Sequence, residues 1–268
     1  MRKKISSSAL VDDVDLDASY YVRNSLLQNS LAKKILSNYR LKRSAHILDV
    51  GCGDGRITAE LAHYANKGKV IGLDASVSMI EFASHNFPKH KFPNLSFQHG
   101  KAEDVNFCQQ FDLIVSFSCF QWFRDPKKAI RRLSSALKIN GEMLVLTYPK
   151  ESPYYRYLQT ALKNYPEYHD LSANKTMLST NDYKKTLHKN DLDIISFRQQ
   201  KLFATYNTYE EIKQYIRGWL SNYIQLPEYL NDVFIKDVIQ AIINDSTTHK
   251  GKKIRIPYTA LVIKARKK

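Results

Sequence analysis

Two carboxylates and three glycines form the pattern in this chain best suited to binding and chemistry. Asp49 stands near the end of the apolar run His46-Ile47-Leu48-Asp49-Val50, and Gly51, Gly53 and Gly55 follow on alternate positions. An apolar run that breaks into glycines reads as a buried strand turning sharply toward a helix, with backbone able to approach a ligand closely. A second apolar strand, Lys69-Val70-Ile71-Gly72-Leu73-Asp74, ends in another acid. Lying about twenty residues beyond the last glycine, it is placed to accept both hydroxyls of a ribose from the neighbouring parallel strand. The implied ligand is an adenosine derivative.

The details narrow which one. A dinucleotide loop reads GxGxxG, whereas Gly51-Cys52-Gly53-Asp54-Gly55 reads GxGxG, with Asp49 two residues ahead of it. A carboxylate there repels a pyrophosphate and suits an ammonium, which S-adenosylmethionine carries together with a sulfonium and no phosphate. The pattern resembles the cofactor loop of class I methyltransferases. That resemblance implies cofactor contacts from Asp49, Gly51, Cys52, Gly53, Asp74 and Ala75. It also implies Met79 against the adenine ring, Ala102 and Glu103 at the adenine amino edge, and Ser116 on the strand aimed at the cofactor.

The elements that must position these residues follow in the family's order over about the first 150 residues. Strands are expected at His46–Val50, Lys69–Asp74, Leu95–His99, Phe111–Phe117 and Gly141–Tyr148. Ser76 reads as the N-cap of the helix after the second strand, and Asp125-Pro126 as cap and first turn of the helix after the fourth. Farther along, helices are expected over Tyr154–Tyr165, Asp182–Lys189 and Tyr229–Ile243, and strands over Asp193–Phe203 and Tyr258–Ala265. Thr208-Tyr209-Glu210-Glu211 reads as a capping box opening a helix with Ile212, Tyr215, Ile216 and Trp219 on one face. The expected fold is α/β: a seven-stranded Rossmann-like sheet, mostly parallel with an antiparallel last strand, under a helical cap. Residues 1–18 read as a flexible tail and 19–268 as one domain, with the cofactor core at about 40–150 and the cap at about 151–268.

Composition excludes several classes. No window reaches the roughly 18 apolar residues of a membrane span, and the basic start lacks the roughly 7 to 15 apolar residues of a secretory signal. A cytoplasmic enzyme is therefore expected. Cys52, Cys108 and Cys119 are spaced neither as a disulfide framework nor as a metal site, and His85, His90 and His99 lack paired-ligand spacing, so no metal is expected. The net charge of +15 raises the question of nucleic acid, but the cations are scattered, as in Lys127, Lys128, Arg131 and Arg132, without interleaved aromatics. The (Asn/Asp)-Pro-Pro-aromatic loop of base-amine methyltransferases is missing, and Cys119 lacks the Pro-Cys setting of cytosine-carbon enzymes. Nucleic acid is therefore the less favoured partner.

The segment after the fourth strand, Ser116-Phe117-Ser118-Cys119-Phe120-Gln121-Trp122-Phe123, resembles small-molecule carboxyl methyltransferases of the juvenile-hormone-acid, trans-aconitate and malonyl-carrier-protein groups. In the N-terminal segment Tyr21 precedes Gln28 by seven residues, which places both on one helix face and is similar to the opening of the juvenile-hormone-acid group. The resemblance implies Gln28 and Trp122 as the groups that clamp a substrate carboxylate, and Tyr21 and Gln121 as further substrate contacts. Phe117, Phe120, Phe123, Tyr155, Trp219 and Tyr223 are candidates to line an apolar pocket. The expectation is an S-adenosylmethionine-dependent methyltransferase acting on a small carboxylic acid, free or carried on a protein. Three alternatives stay open: a quinone or lipid acceptor, an RNA or protein acceptor, and a cofactor-binding regulatory module without turnover.

Overall fold

The computed structural model describes residues 26–171, 176–245, 249–250 and 253–268. Its strands are β1 (His46–Val50), β2 (Lys69–Asp74), β3 (Leu95–His99), β4 (Phe111–Phe117), β5 (Leu137–Thr147), β6 (Leu192–Tyr206), β7 (His249–Lys250) and β8 (Lys253–Lys267). Its helices are α1 (Leu26–Ser37), α2 (Arg56–Tyr64), α3 (Val77–Asn86), α4 (Pro126–Ala136), α5 (Tyr155–Leu162), α6 (Thr180–Lys189), α7 (Tyr209–Arg217), α8 (Leu220–Tyr223) and α9 (Glu228–Ile243).

The sheet order is β3-β2-β1-β4-β5-β8-β6, with two-residue β7 paired on β8. The pairs from β3 through β5 are parallel, and β8 runs antiparallel to both of its neighbours. Strand order reverses between β1 and β4, so the loop leaving β1 opens at the switch point where open α/β sheets bind ligands. The period of two along β1 divides its side chains between faces. Ile47 packs with α1 and α2, while Leu48 and Val50 pack with α4 and α6 on the other side. Asp49 shares its face with Ile47, which turns it toward α2.

A third apolar cluster lies among α5, α7, α8 and α9, with Tyr155, Leu158, Ile212, Ile216, Phe234 and Ile239 fully buried in it. The long β6–β8 ribbon joins this helical layer to the sheet. β5 pairs with β8 only from Leu261 to Arg266, whereas the pairing of β6 with β8 runs on to Tyr206 and Ile254. The ribbon therefore overruns the sheet by about half its length and reaches the helical layer.

Several boundaries differ from those read in the sequence, each for a local reason. α6 begins at Thr180 because Ser179 and Asp182 form a reciprocal capping box that the sequence reading missed. At α7 the box is half formed: the Thr208 hydroxyl accepts the Glu211 N–H at 3.2 Å, but the Glu211 carboxylate turns back to the Asn207 N–H at 2.7 Å. α7 stops at Arg217, so Trp219 does not continue its stripe and instead precedes α8. Half-buried lysines are partly neutralised by neighbours, as in Lys128 with Asp104 at 2.9 Å and Lys213 with Asp232 at 3.2 Å. Among the described residues no helix is long and apolar enough to cross a membrane.

Candidate functional site

The loop leaving β1 is shaped by backbone conformations that favour glycine. Gly51, Gly53 and Gly55 have φ of 73°, 52° and 79°, in the left-handed region that costs a residue with a Cβ. At Gly51 the close approach is also steric, since a Cβ would lie 2.2 Å from the Cys119 Sγ. The loop is stitched to the neighbouring strand by Gly51 and Cys52 N–H groups, which donate to the Leu73 carbonyl at 2.7 and 3.1 Å. Asp54, absent from the sequence-derived site, accepts the Arg56 N–H at 3.1 Å and starts α2.

Both carboxylates of the pattern converge here. Asp49 is 2 % exposed and accepts the Thr58 hydroxyl at 2.7 Å. Burial pushes its carboxyl up to about 7, aided by the charges of Asp74 and Asp54 and opposed by the Thr58 bond. Asp74 accepts the Gly53 N–H at 2.8 Å through Oδ2 and the Ser76 N–H at 3.0 Å through Oδ1. Burial raises its pKa as well, with those backbone donors pulling it down. The two acids thus flank one glycine loop, and a cationic group bound there would restore full ionisation.

The remaining residues expected at the cofactor fall around this loop with differing freedom. Ser76 caps α3 by accepting the Met79 N–H at 3.2 Å, and Met79 is 1 % exposed. Cys52 and Ala102 are buried, and the Ala75 carbonyl faces the His99 Nε2 at 3.0 Å. The Glu103 carboxylate accepts the N–H groups of Arg124 (2.8 Å) and Asp125 (3.2 Å), so it holds the end of the loop after β4. Ser116 is fully buried and donates to the Val50 carbonyl at 2.7 Å, so its hydroxyl ties β4 to β1.

Beyond Cys119 opens a cavity whose empty space, mouth included, is ≈ 730 Å³. Its walls come from four places: Ser118, Gln121 and Trp122 after β4; Tyr148, Ser152, Tyr154 and Tyr155 after β5; Tyr215, Gly218, Trp219 and Asn222 on and between α7 and α8; and the β6–β8 ribbon. The ribbon contributes Ala204, Tyr206, Ile256 and Tyr258, all from the part that overruns the sheet. Among the described residues no Asp, Glu, Lys, Arg or His lines this space. Trp122 and Trp219 stack with ring centroids 6.0 Å apart. The Trp219 Nε1 and the Tyr154 hydroxyl are buried without a hydrogen-bond partner among the described residues, each an unmet donor on a residue that lines the cavity. Leaving such a group unpaired costs about 1–3 kcal/mol.

Of the residues expected to meet the acceptor, Trp122 and Gln121 line this cavity. The Gln121 amide is engaged at both ends, by the Ser118 carbonyl at 2.7 Å and the Thr147 hydroxyl at 3.0 Å. Gln28 lies in the first turn of α1, its side chain outside the described residues, as is the whole of Tyr21. Tyr155 and Trp219 line the cavity as expected, but Phe120, Phe123 and Tyr223 are buried in apolar cores, and Phe117 packs on the opposite side of the sheet. That is a correction with a simple cause: side chains of successive residues leave a strand or turn on different sides. Ser118, Tyr148, Tyr154, Tyr206 and Tyr258 were missed. Only the abundance of tyrosine hinted at them, 17 in the chain.

Known proteins share this arrangement. The chain is 28% identical over 185 residues to malonyl-[acyl-carrier protein] O-methyltransferase of Bacillus anthracis, covering 68% of this chain and 66% of that one. It is 23% identical over 273 residues to juvenile hormone acid O-methyltransferase of Bombyx mori, covering 92% and 95%. The YcgJ protein of Bacillus subtilis has the same fold, with a TM-score of 0.63 at 21% identity over 90% of this chain and 97% of that one. Residues 41–214 match the family described as methyltransferase domain, and with the glycine loop, its two acids and the sheet order in place, the chain belongs to that family of methyltransferases.

Proposed function

We propose that the protein transfers a methyl group from S-adenosylmethionine to the carboxylate of a small, largely apolar acid, forming a methyl ester. The observation that carries this reading is the uncharged aromatic cavity, which adjoins the glycine loop through Ser118 and Cys119. The named carboxyl O-methyltransferases among its relatives support it.

The residues of the loop fit the cofactor chemically. Asp49 suits the ammonium, Asp74 the ribose hydroxyls, and the positive-φ glycines leave room where a Cβ would collide. When bound, S-adenosylmethionine supplies an electrophilic methyl group on a sulfonium. On the acceptor side the chain has mainly to desolvate and orient. A carboxylate with a solution pKa near ~4 is already ionised at pH 7 and needs no general base. Burial raises the pKa of the Tyr148, Tyr154 and Tyr155 phenols, so these groups stay protonated and act as donors. Holding the attacking oxygen in line at about 3 Å supplies on the order of 7 to 11 kcal/mol.

Neutral donors also suit the attack better than a cation, which would repel the sulfonium and draw density from the nucleophile. Trp122 serves here through its indole N–H, and Gln28 through its amide. A free acid and an acid on a carrier protein present the same group to the cavity. A hydroxyl or carbon acceptor of a quinone or lipid calls for a base, and among the described residues the cavity walls carry no Asp, Glu, Lys or His.

Calorimetric titration with S-adenosylmethionine and S-adenosylhomocysteine, followed by mass-spectrometric screening of a carboxylic-acid panel, tests the reading. Micromolar binding and a base-labile ester product are expected. Cofactor binding without any ester removes the carboxylate acceptor, and no binding removes the whole assignment.

A further inference from the structure

The cavity contains one polar feature that neither the sequence nor the family relationship assigns. Directly after β4, Ser118 has a φ of 61° without being glycine. Such a conformation is unfavourable for a residue with a Cβ and persists only where surrounding contacts over-determine it. Here they do: the Ser118 N–H donates to the Leu146 carbonyl at 2.7 Å, and its carbonyl accepts from the Gln121 amide at 2.7 Å. Gln121 is itself fixed by the Thr147 hydroxyl, one residue before Tyr148. The strained backbone brings the Ser118 Oγ to 3.2 Å from the Tyr148 hydroxyl, and both residues line the cavity.

Two hydroxyls in contact have two protons and need only one between them, so whichever donates inward, one O–H is left for a third group. Tyr148 is braced edge-on against Tyr258, ring centroids 5.8 Å apart. The Gln121 amide, another polar lining group, is already engaged at both ends, and the Ser152 Oγ, farther along the chain from Cys119, accepts the Thr259 N–H at 2.9 Å. Ser118 also adjoins Cys119, whose thiol packs on Gly51. The hydroxyl pair therefore sits on the wall of the cavity closest in sequence and contact to the glycine loop.

We infer that Ser118 and Tyr148 together bind the reacting oxygen of the methyl acceptor, with Gln121 as the positioning residue that holds Ser118 in its strained conformation. The inference rests on the carboxyl acceptor reading above and adds to it the groups that receive the oxygen.

Ser118→Gly keeps access to positive φ while removing the hydroxyl, and Tyr148→Phe removes one oxygen from an unchanged ring. Both tryptophans of the chain line the cavity, so quenching of their emission reads ligand entry in protein saturated with S-adenosylhomocysteine. The probes are phenylacetate, trans-cinnamate and dodecanoate, with toluene as a control lacking the carboxylate. Each variant should weaken phenylacetate binding by about tenfold, leave toluene and S-adenosylhomocysteine binding unchanged, and raise KM for whichever acid is methylated. Gln121→Ala should give the same acid-selective loss. Equal weakening of phenylacetate and toluene, or no weakening of either, overturns the hydroxyl-pair assignment while ester formation by the parent protein keeps the carboxylate reading. Failure of all three acids to bind the parent, with S-adenosylhomocysteine still bound, overturns both.

Discussion

The two halves of the site are made of different materials. Around the glycine loop, the polar groups are backbone N–H donors and two buried carboxylates, all drawn from residues 49–76. The cavity beyond Cys119 is built of rings and hydroxyls from four distant segments and has no charged residue in its walls among the described residues. Charge is thus confined to the side that would hold a cation. An acceptor carboxylate then meets no lysine or arginine that would compete with the sulfonium for it, which suits a reaction in which opposite charges merge.

Breaking the first half should have the largest effect. Gly51→Val combines positive φ with a Cβ 2.2 Å from the Cys119 Sγ. A loss of about 3 kcal/mol or more in urea unfolding is expected, together with loss of cofactor binding. Cys119→Gly in the same chain should recover the steric part only; full recovery would mean that backbone strain at Gly51 is unimportant.

Next in size is Asp74→Asn. It removes the charge and keeps an acceptor for only one of the Gly53 and Ser76 N–H groups, setting an amide NH2 against the other. Hydrogen bonds to a charged group contribute roughly 1.5–3 kcal/mol each, so calorimetry should show S-adenosylmethionine affinity falling tenfold or more. An unchanged affinity would remove Asp74 from the site.

The Asp49 carboxyl, raised to about 7 by burial, predicts a smaller, pH-dependent effect. A carboxyl pKa raised by folding stabilises the ligand-free protein below the unfolded value near ~4, and that contribution is lost as pH rises through about 7. A bound ammonium reverses the preference by favouring the ionised form. The thermal shift given by S-adenosylmethionine should therefore grow from pH 6 to pH 8, and Asp49→Asn should flatten the dependence. A flat profile in the parent protein would disconnect Asp49 from the cofactor.

The smallest effect tests the separation itself. Tyr258→Phe removes one hydroxyl from the ribbon wall and should change cofactor affinity by less than about twofold, while altering which acids are methylated. A large loss of cofactor affinity would show that the halves are not independent.

The same contrast explains what was legible in the sequence. Asp49, the glycines, Asp74 and the Ser76 cap could be read because their function lies in backbone geometry set by neighbouring residues. The strands from β1 to β4 were read at their observed bounds for a related reason, as each is a short apolar run between breakers. The aromatic wall could not be read this way. Whether a tyrosine faces a cavity or a core depends on packing between remote segments, and Phe120 and Tyr148 look equally suitable in one dimension. The strain at Ser118 has no signal at all, since serine at φ 61° is imposed by Leu146 and Gln121 rather than by its own preference. The position of β8 between β5 and β6 likewise is a pairing across the chain that periodicity does not carry.

The ribbon that overruns the sheet also bears on the order of assembly. The glycine-loop half closes through contacts between β1, β2 and β4, all within residues 46–117, whereas the aromatic wall needs β8 to pair back on β5, as Arg266 does with Glu142, and Thr259 to reach Ser152. Long loops must be closed before such pairings stabilise anything, so they form late. The expected folding sequence is a nascent cofactor half followed by completion of the acceptor wall. Pulse-labelled hydrogen exchange checks it: amides of β1 and β2 should gain protection before those of β6 and β8, and simultaneous protection would remove the hierarchy.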